Sequence, residues 1–337
     1  MSERTTGHYE VAVIGGGAAG TSAALSLARA RRTVLVADAG HPRNAPAAHV
    51  HNYLGREGTP PGELVATGRT EATGYGAEFT PHAVTAARHL DGGGFRLTLD
   101  DDTTITATRL LAATGLVDEL PDVPGLAPRW GRDVLHCPYC HGWEVRDQAI
   151  GVLATGPMAP HQALLWRQWS PRVTLLQHTT PAPTPEDRAR LAARGITVEP
   201  GEVTGLVIDD DRLTGVTVNG TTVACDALVA APVFTARTGA LTELGLTAEP
   251  VQRAGTVIGA QLPVDHTGAT RVPGVWAAGN ITDVTDNVIG SAAAGARAAA
   301  AINADLVEHD TRRALERRTA GQEPDLGERA LADRHGR

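Results

Sequence analysis

Glu10-Val-Ala-Val-Ile-Gly-Gly-Gly-Ala-Ala-Gly20 is the stretch from which the rest of the chain can be read. Glu10 to Ile14 is a short apolar strand that runs directly into a glycine-rich turn. An Ala/Leu-rich helical stretch, Thr21 to Arg31, follows, then a second apolar strand, Thr33 to Ala37, that ends in Asp38. Strand, Gly-x-Gly-x-x-Gly, helix, strand and acidic residue make up the dinucleotide-binding βαβ unit. Gly15 permits the tight turn, Gly17 lets backbone approach a pyrophosphate, and Gly20 lets the helix pack closely on the strand. The helix N-terminus faces the phosphates, and Asp38 can accept a ribose hydroxyl. A glycine turn alone is weak evidence, and the bland alternative is a turn without ligand. Both flanking strands and the acidic residue favour a dinucleotide.

Outward from this unit, His41 to Pro61 is a long segment rich in Pro, His and Asn without periodicity, which marks a functional or mobile loop. Asn44, His49, His51 and Asn52 offer polar contacts there. Leu64 to Tyr75 reads as a helix. Phe95 to Leu99, Thr104 to Thr108 and Leu110 to Gly115 read as strands, and the last ends in Thr114-Gly115, where a ligand can approach backbone. A crossing segment with Pro121, Pro124 and Pro128 follows. Gln148 to Gln177 then repeats the βαβ plan with altered chemistry. Its turn is Ala154-Thr-Gly-Pro-Met-Ala159, and its second strand leads into Gln177-His-Thr-Thr180 with no acidic residue and no arginine. Pro273-Gly-Val-Trp-Ala-Ala-Gly-Asn280 is a further strand ending in glycine, and Ser291 to Leu306 is an Ala-rich helix. The charged tail from about Asp310 reads as frayed or disordered.

Between the two βαβ units lies His136-Cys-Pro-Tyr-Cys-His-Gly-Trp143, the only close cysteine pair in the chain. C-x-x-C spacing lets Cys137 and Cys140 cycle between dithiol and disulfide. A helix opening at this point lowers the first thiol's pKa. Half of a zinc site is the bland alternative. The chain has no second C-x-x-C and no H-x(3–5)-H pair to complete four ligands, so no metal site is expected. The third cysteine, Cys225, reads as a small core residue.

Composition narrows the classes. Of 337 residues, 42% are hydrophobic, enough for a sizeable core, and only 4% are aromatic. The formal net charge of −8 gives no electrostatic reason to bind nucleic acid or anionic lipid. No run of about 18 apolar residues occurs, so no membrane span is expected. Met1 to Glu10 shows no apolar signal-peptide core. The expected location is therefore the reducing cytoplasm, where a C-x-x-C pair serves catalysis better than stapling.

The order of these parts, from the Gly15–Gly20 turn through Asp38, Ala113-Thr-Gly115, the C-x-x-C and the second nucleotide-type unit to the Gly274–Gly279 strand, resembles the low-molecular-weight thioredoxin reductase family of FAD-dependent disulfide oxidoreductases. The resemblance implies an α/β fold of two Rossmann-like, three-layer ββα nucleotide-binding domains, the second inserted into the first. Residues 1–118 and 250–310 would bind FAD, 119–249 would carry the C-x-x-C, and 311–337 would be the tail. It places Gly15, Gly17, Ala18 and Gly20 at the FAD pyrophosphate and Asp38 at the adenosine ribose. Asn44, Asn52, Thr114, Gly115, Gly279 and Asn280 complete the cofactor site, Asn52 near the flavin. Asn280 replaces the family's usual Asp, and an amide can still donate and accept.

By the same resemblance Cys140 stacks against the flavin and Cys137 exchanges with substrate. The reductases carry Asp after the second cysteine; here His141 stands, able to take a proton from a thiol near neutral pH. His136 has a weaker claim to a role. The turn glycine and the arginine cluster that hold NADPH in the reductases are missing, so NADPH is not an expected cofactor. C-x-x-C-His with a degenerate NADPH site is similar to the dithiol oxidases of holomycin and gliotoxin biosynthesis. That branch implies a small-molecule dithiol as substrate, dioxygen as electron acceptor, hydrogen peroxide as product and a homodimer. Two alternatives stay open: an NADPH- or ferredoxin-dependent reductase of the thioredoxin reductase type, and a redox-sensing flavoprotein without turnover.

Overall fold

The computed structural model describes residues 5–253 and 255–320. The opening strand, Thr5–Ile14, lies at the centre of a parallel array between Val34–Ala37 and Thr104–Ala112. Val11 and Val13 are buried in one core cluster and Ala12 and Ile14 in another, so the strand is covered on both faces. The helix Ala18–Arg29 returns over this sheet. Its inward residues Ala23, Ala24 and Leu27 have no solvent exposure, and they recur at helical spacing. Their small size brings backbones close: a methyl on Gly295, in the last helix, would overlap the carbonyl of Ala19.

Glu78–Thr80 extends the sheet beside Val34–Ala37. Thr104–Ala112 is one unbroken nine-residue strand, not the two strands expected from the sequence. Its first half pairs antiparallel with Phe95–Leu99, and its second half pairs parallel with Val275–Ala277, so the edge away from Thr5–Ile14 serves two neighbours. A partner more than 160 residues downstream thus completes the first sheet. The intervening chain forms a second unit. A five-stranded parallel sheet, ordered 197–199, 173–176, 150–153, 227–229, 134–135, carries the helices Ala159–Trp166 and Pro185–Ala193. Trp166 is fully buried beneath it. A three-stranded antiparallel sheet of 203–209, 212–218 and 221–224 caps the unit.

The two passages between units lie side by side: Leu116–Glu119 pairs antiparallel with Val233–Ala236. The architecture is therefore two Rossmann-like units, the second inserted into the first.

The last helix, Val288–Thr319, runs past Leu306, where the sequence reading ended it, and continues nine residues beyond Asp310, from about which the tail was expected to fray. Ala, Leu, Glu and Arg favour helix throughout this extension, and Arg317 and Arg318 suit the negative helix end. Arg32 also anchors it through Asp310 at 2.7 Å. The rest of the expected tail, 321–337, lies outside the described residues. Among the described residues no helix is long and apolar enough to cross a membrane.

Candidate active site

The first strand ends at Ile14, and Gly15 turns the chain at φ +102°, a conformation that favours glycine. Its amide donates to Ala37 at 2.8 Å, and Thr114 Cα lies 3.3 Å from where a Gly15 Cβ would stand. The turn and the Thr114-Gly115 strand end therefore meet. Gly17 caps the following helix without any side-chain acceptor, so the first amides stay available, and nothing lies within 4 Å of its missing Cβ. Ala18 opens that helix. Gly20 sits against the Gly15 carbonyl with no room for a methyl. The Asp38 carboxylate lies over Gly16, 2.7 Å from the position of a Cβ there. Gly279, at φ +82°, packs on Ala19, 2.9 Å from its own missing Cβ to that methyl. Four separate segments thus converge on one helix N-terminus. Open amides, a bare glycine face and a carboxylate one turn away fit the pyrophosphate and ribose of FAD.

Asn280 follows Gly279. Its amide group donates to the carbonyls of Asp283 (3.0 Å) and Asp286 (2.8 Å), and its oxygen accepts from Arg43 at 3.1 Å. An aspartate could accept from Arg43 but could not donate to the two carbonyls. Arg43 finds its counter-charge instead in Asp118, with bonds of 2.8 and 2.6 Å. Sequence reading missed both Arg43 and Asp118. They are 75 residues apart and carry no motif.

Cys137 and Cys140 form a disulfide across a Cα separation of 5.3 Å. Pro138–His141 is a single helical turn; Cys137 caps it, its sulfur accepting from the Cys140 amide at 3.2 Å. Asn52, at φ +59°, reaches across from the 41–61 loop and donates to the Tyr139 carbonyl. It is thus placed on the redox turn. Asn44 is half-buried in the same loop, its carbonyl accepting from Ala47 at 3.0 Å. His51 spans the same gap, 2.6 Å from Glu57 in its own loop and 3.3 Å from Glu144 beyond the redox turn. Glu57 and Glu144 carry no sequence signal for this role.

Burial holds the His141 imidazole below its ordinary pKa; Glu144 pulls it up and His51 pushes it further down. His141 forms part of the wall of a cavity of about 520 Å³, a volume suited to a small molecule. The 41–61 loop supplies His49 and His51 to one side. Arg129, Arg132 and Asp211 line another, joined by ion pairs.

The second unit's nucleotide corner is closed on itself. The Gln177 side-chain amide donates to the Thr180 carbonyl at 3.2 Å, and the Thr180 hydroxyl to the Gln177 carbonyl at 2.9 Å. His178, at φ +47°, accepts from the Val203 amide at 3.2 Å.

The profile of the pyridine nucleotide-disulphide oxidoreductase family matches residues 9–300. The solved structure of HlmI is 44% identical with a TM-score of 0.86, covering 95% of this chain and 99% of that one. An oxidoreductase from Agrobacterium tumefaciens is 34% identical with a TM-score of 0.82, covering 89% and 99%. Thioredoxin reductase tcpT of Claviceps purpurea is 37% identical over 179 residues, 51% of this chain and 56% of its own length. Thioredoxin reductase aclD of Aspergillus oryzae is 37% identical over 155 residues, 45% and 49%. The chain thus spans about half the length of these curated relatives. The chain belongs to the pyridine nucleotide-disulphide oxidoreductase family and is similar over nearly its whole length to the HlmI structure.

Proposed function

We propose that the protein is an FAD-dependent dithiol oxidase that closes an intramolecular disulfide in a small natural-product dithiol. The observation that carries this reading is the small-molecule-sized cavity lined by His141, the residue that follows Cys140 on the redox turn. In this reading residues 1–118 and 250–310 hold FAD, 119–249 presents the redox pair, and the protein works as a homodimer.

His141, neutral because it is buried, takes the proton from one substrate thiol. The thiolate attacks Cys137 and releases the Cys140 thiolate, giving a mixed disulfide. The second substrate thiol then displaces Cys137 and closes the product. The substrate loses two electrons and two protons, and the enzyme disulfide becomes a dithiol. Gly15, Gly17, Ala18, Gly20 and Asp38 hold the cofactor's pyrophosphate and ribose end, and Asn280 with Arg43 holds the other. Bound FAD supplies the two-electron route from the reduced pair to dioxygen, which leaves as hydrogen peroxide. The self-bonded Gln177–Thr180 corner, which has no arginine, speaks against NADPH as the electron source.

The test is to mix the flavin-loaded protein anaerobically with NADPH, and in air with dithiothreitol. Oxygen uptake with the dithiol and an unchanged flavin band with NADPH are expected. Rapid bleaching by NADPH would overturn the oxidase reading in favour of a reductase. Cys137→Ser and Cys140→Ser should each stop turnover and stay yellow; loss of FAD in either would make the motif structural.

A further inference from the structure

One buried polar atom beside the redox pair lacks a partner. His136 follows the strand Val134–Leu135 and immediately precedes Cys137. Its Nδ1 is buried and makes no hydrogen bond. The ring stands edge-on to Phe234 at 5.0 Å, and Phe234 in turn lies under the Arg43 guanidinium at 5.3 Å. Arg43 binds Asn280 and Asp118, so His136 shares a corner with the Gly279-Asn280 strand end.

The protonation state follows from the surroundings. Burial pushes the imidazole down to about 4, and the charges of Arg43 and His141 add to this against Asp118 and the Ala230 carbonyl. The ring is therefore neutral at physiological pH. Nδ1 has no hydrogen-bond partner, and in the tautomer that carries its proton on Nε2 it is a bare acceptor. An unpaired buried acceptor costs about 1–3 kcal/mol, and an apolar ring would pack on Phe234 without that cost. A group that binds in this corner and offers a donor would remove the penalty.

We propose that His136 Nδ1 accepts a hydrogen bond from the bound flavin, from its ring imide N–H or a ribityl hydroxyl, making His136 a cofactor-binding residue that sets the flavin against the Cys137–Cys140 pair. This rests on the flavin reading above.

The test strips FAD from the full chain and retitrates it, following fluorescence quenching and the position of the flavin absorption bands. His136→Phe keeps the edge contact and removes the acceptor. It should weaken FAD binding about 5- to 100-fold and shift the bands, while the flavin-free variant melts no lower than wild type. His136→Asn places an acceptor oxygen where Nδ1 stood and should bind FAD within about threefold of wild type. Unchanged affinity and spectrum in His136→Phe would overturn the proposal, as would His136→Asn binding as weakly as His136→Phe. If the wild-type chain takes up no flavin, the flavin reading fails first, and the two failures are told apart.

Discussion

Two neighbouring glycines make opposite predictions. A methyl on Gly20 would overlap the Gly15 carbonyl oxygen and stand 3.0 Å from its carbon and 3.2 Å from Val13 Cγ1. The carbonyl is backbone of the turn itself, so relief requires the helix and strand to separate. Overpacking of this kind costs about 1–3 kcal/mol, and a backbone obstacle places Gly20→Ala near the upper figure. Alanine returns about 1 kcal/mol of helix propensity, leaving about 2 kcal/mol of net destabilisation. For a chain of 337 residues that lowers Tm by about 3 °C. Gly17→Ala meets nothing within 4 Å and keeps an allowed backbone at φ −70°. As a weaker N-cap it costs at most about 1 kcal/mol. Its methyl, however, would stand in the open space at the helix N-terminus where the proposed cofactor site puts the pyrophosphate. Thermal melts of flavin-free protein should therefore single out Gly20→Ala. FAD titration should show Gly17→Ala binding at least about tenfold more weakly. A Gly20→Ala melt at the wild-type temperature, or wild-type FAD affinity in Gly17→Ala, would refute the close-approach reasoning.

Two further outcomes follow from charge. Burial keeps His141 below its ordinary value near 6.5, so the base-dependent limb of kcat/KM for a dithiol should lie on the acid side of that value. His141→Gln should lose the limb and slow thiol oxidation about 10²- to 10⁴-fold; a rate profile identical to wild type would remove His141 from the mechanism. Burial raises the Asp133 carboxyl, but hydrogen bonds from Arg129 and the Leu213 amide together with the Arg129 charge outweigh it, and the net shift is downward. Its contribution to stability is therefore complete above the unfolded value near 3.8 and is lost as pH falls through the lower folded value. Arg129→Met removes a guanidinium only 7% exposed and should cost about 3 kcal/mol at pH 7, read by urea unfolding. The cost should shrink in acid; equal destabilisation at pH 3 and pH 7 would show that packing, not the ion pair, is what was lost.

Where local rules apply, the sequence was legible. Hydrophobic alternation, glycine positions and the C-x-x-C spacing are properties of neighbouring residues, so both βαβ units and the redox turn could be placed before any coordinates. The extent of the last helix was not legible. A charged segment with good helix formers can fray or continue, and Arg32, nearly 280 residues away in sequence, adds an anchor at Asp310. The division of Thr104–Ala112 failed for a similar reason: one strand that changes partner along one edge carries no internal break in its own backbone.

The sequence by itself determined the class of chemistry: a glycine turn for a dinucleotide, a cysteine pair for electrons, and a histidine where the reductases keep an acid. Only the tertiary structure decided how those groups are held. Arg43, Asp118 and Asn280 come from three distant segments and meet in one hydrogen-bonded cluster. His51 joins Glu57 to Glu144, and Asn52 grips the Tyr139 carbonyl. Such pairings depend on which segments the fold brings together, within the first unit for the Arg43 cluster and between the two units for His51 and Asn52. That is settled by packing across the whole chain, and no spacing along it encodes the answer.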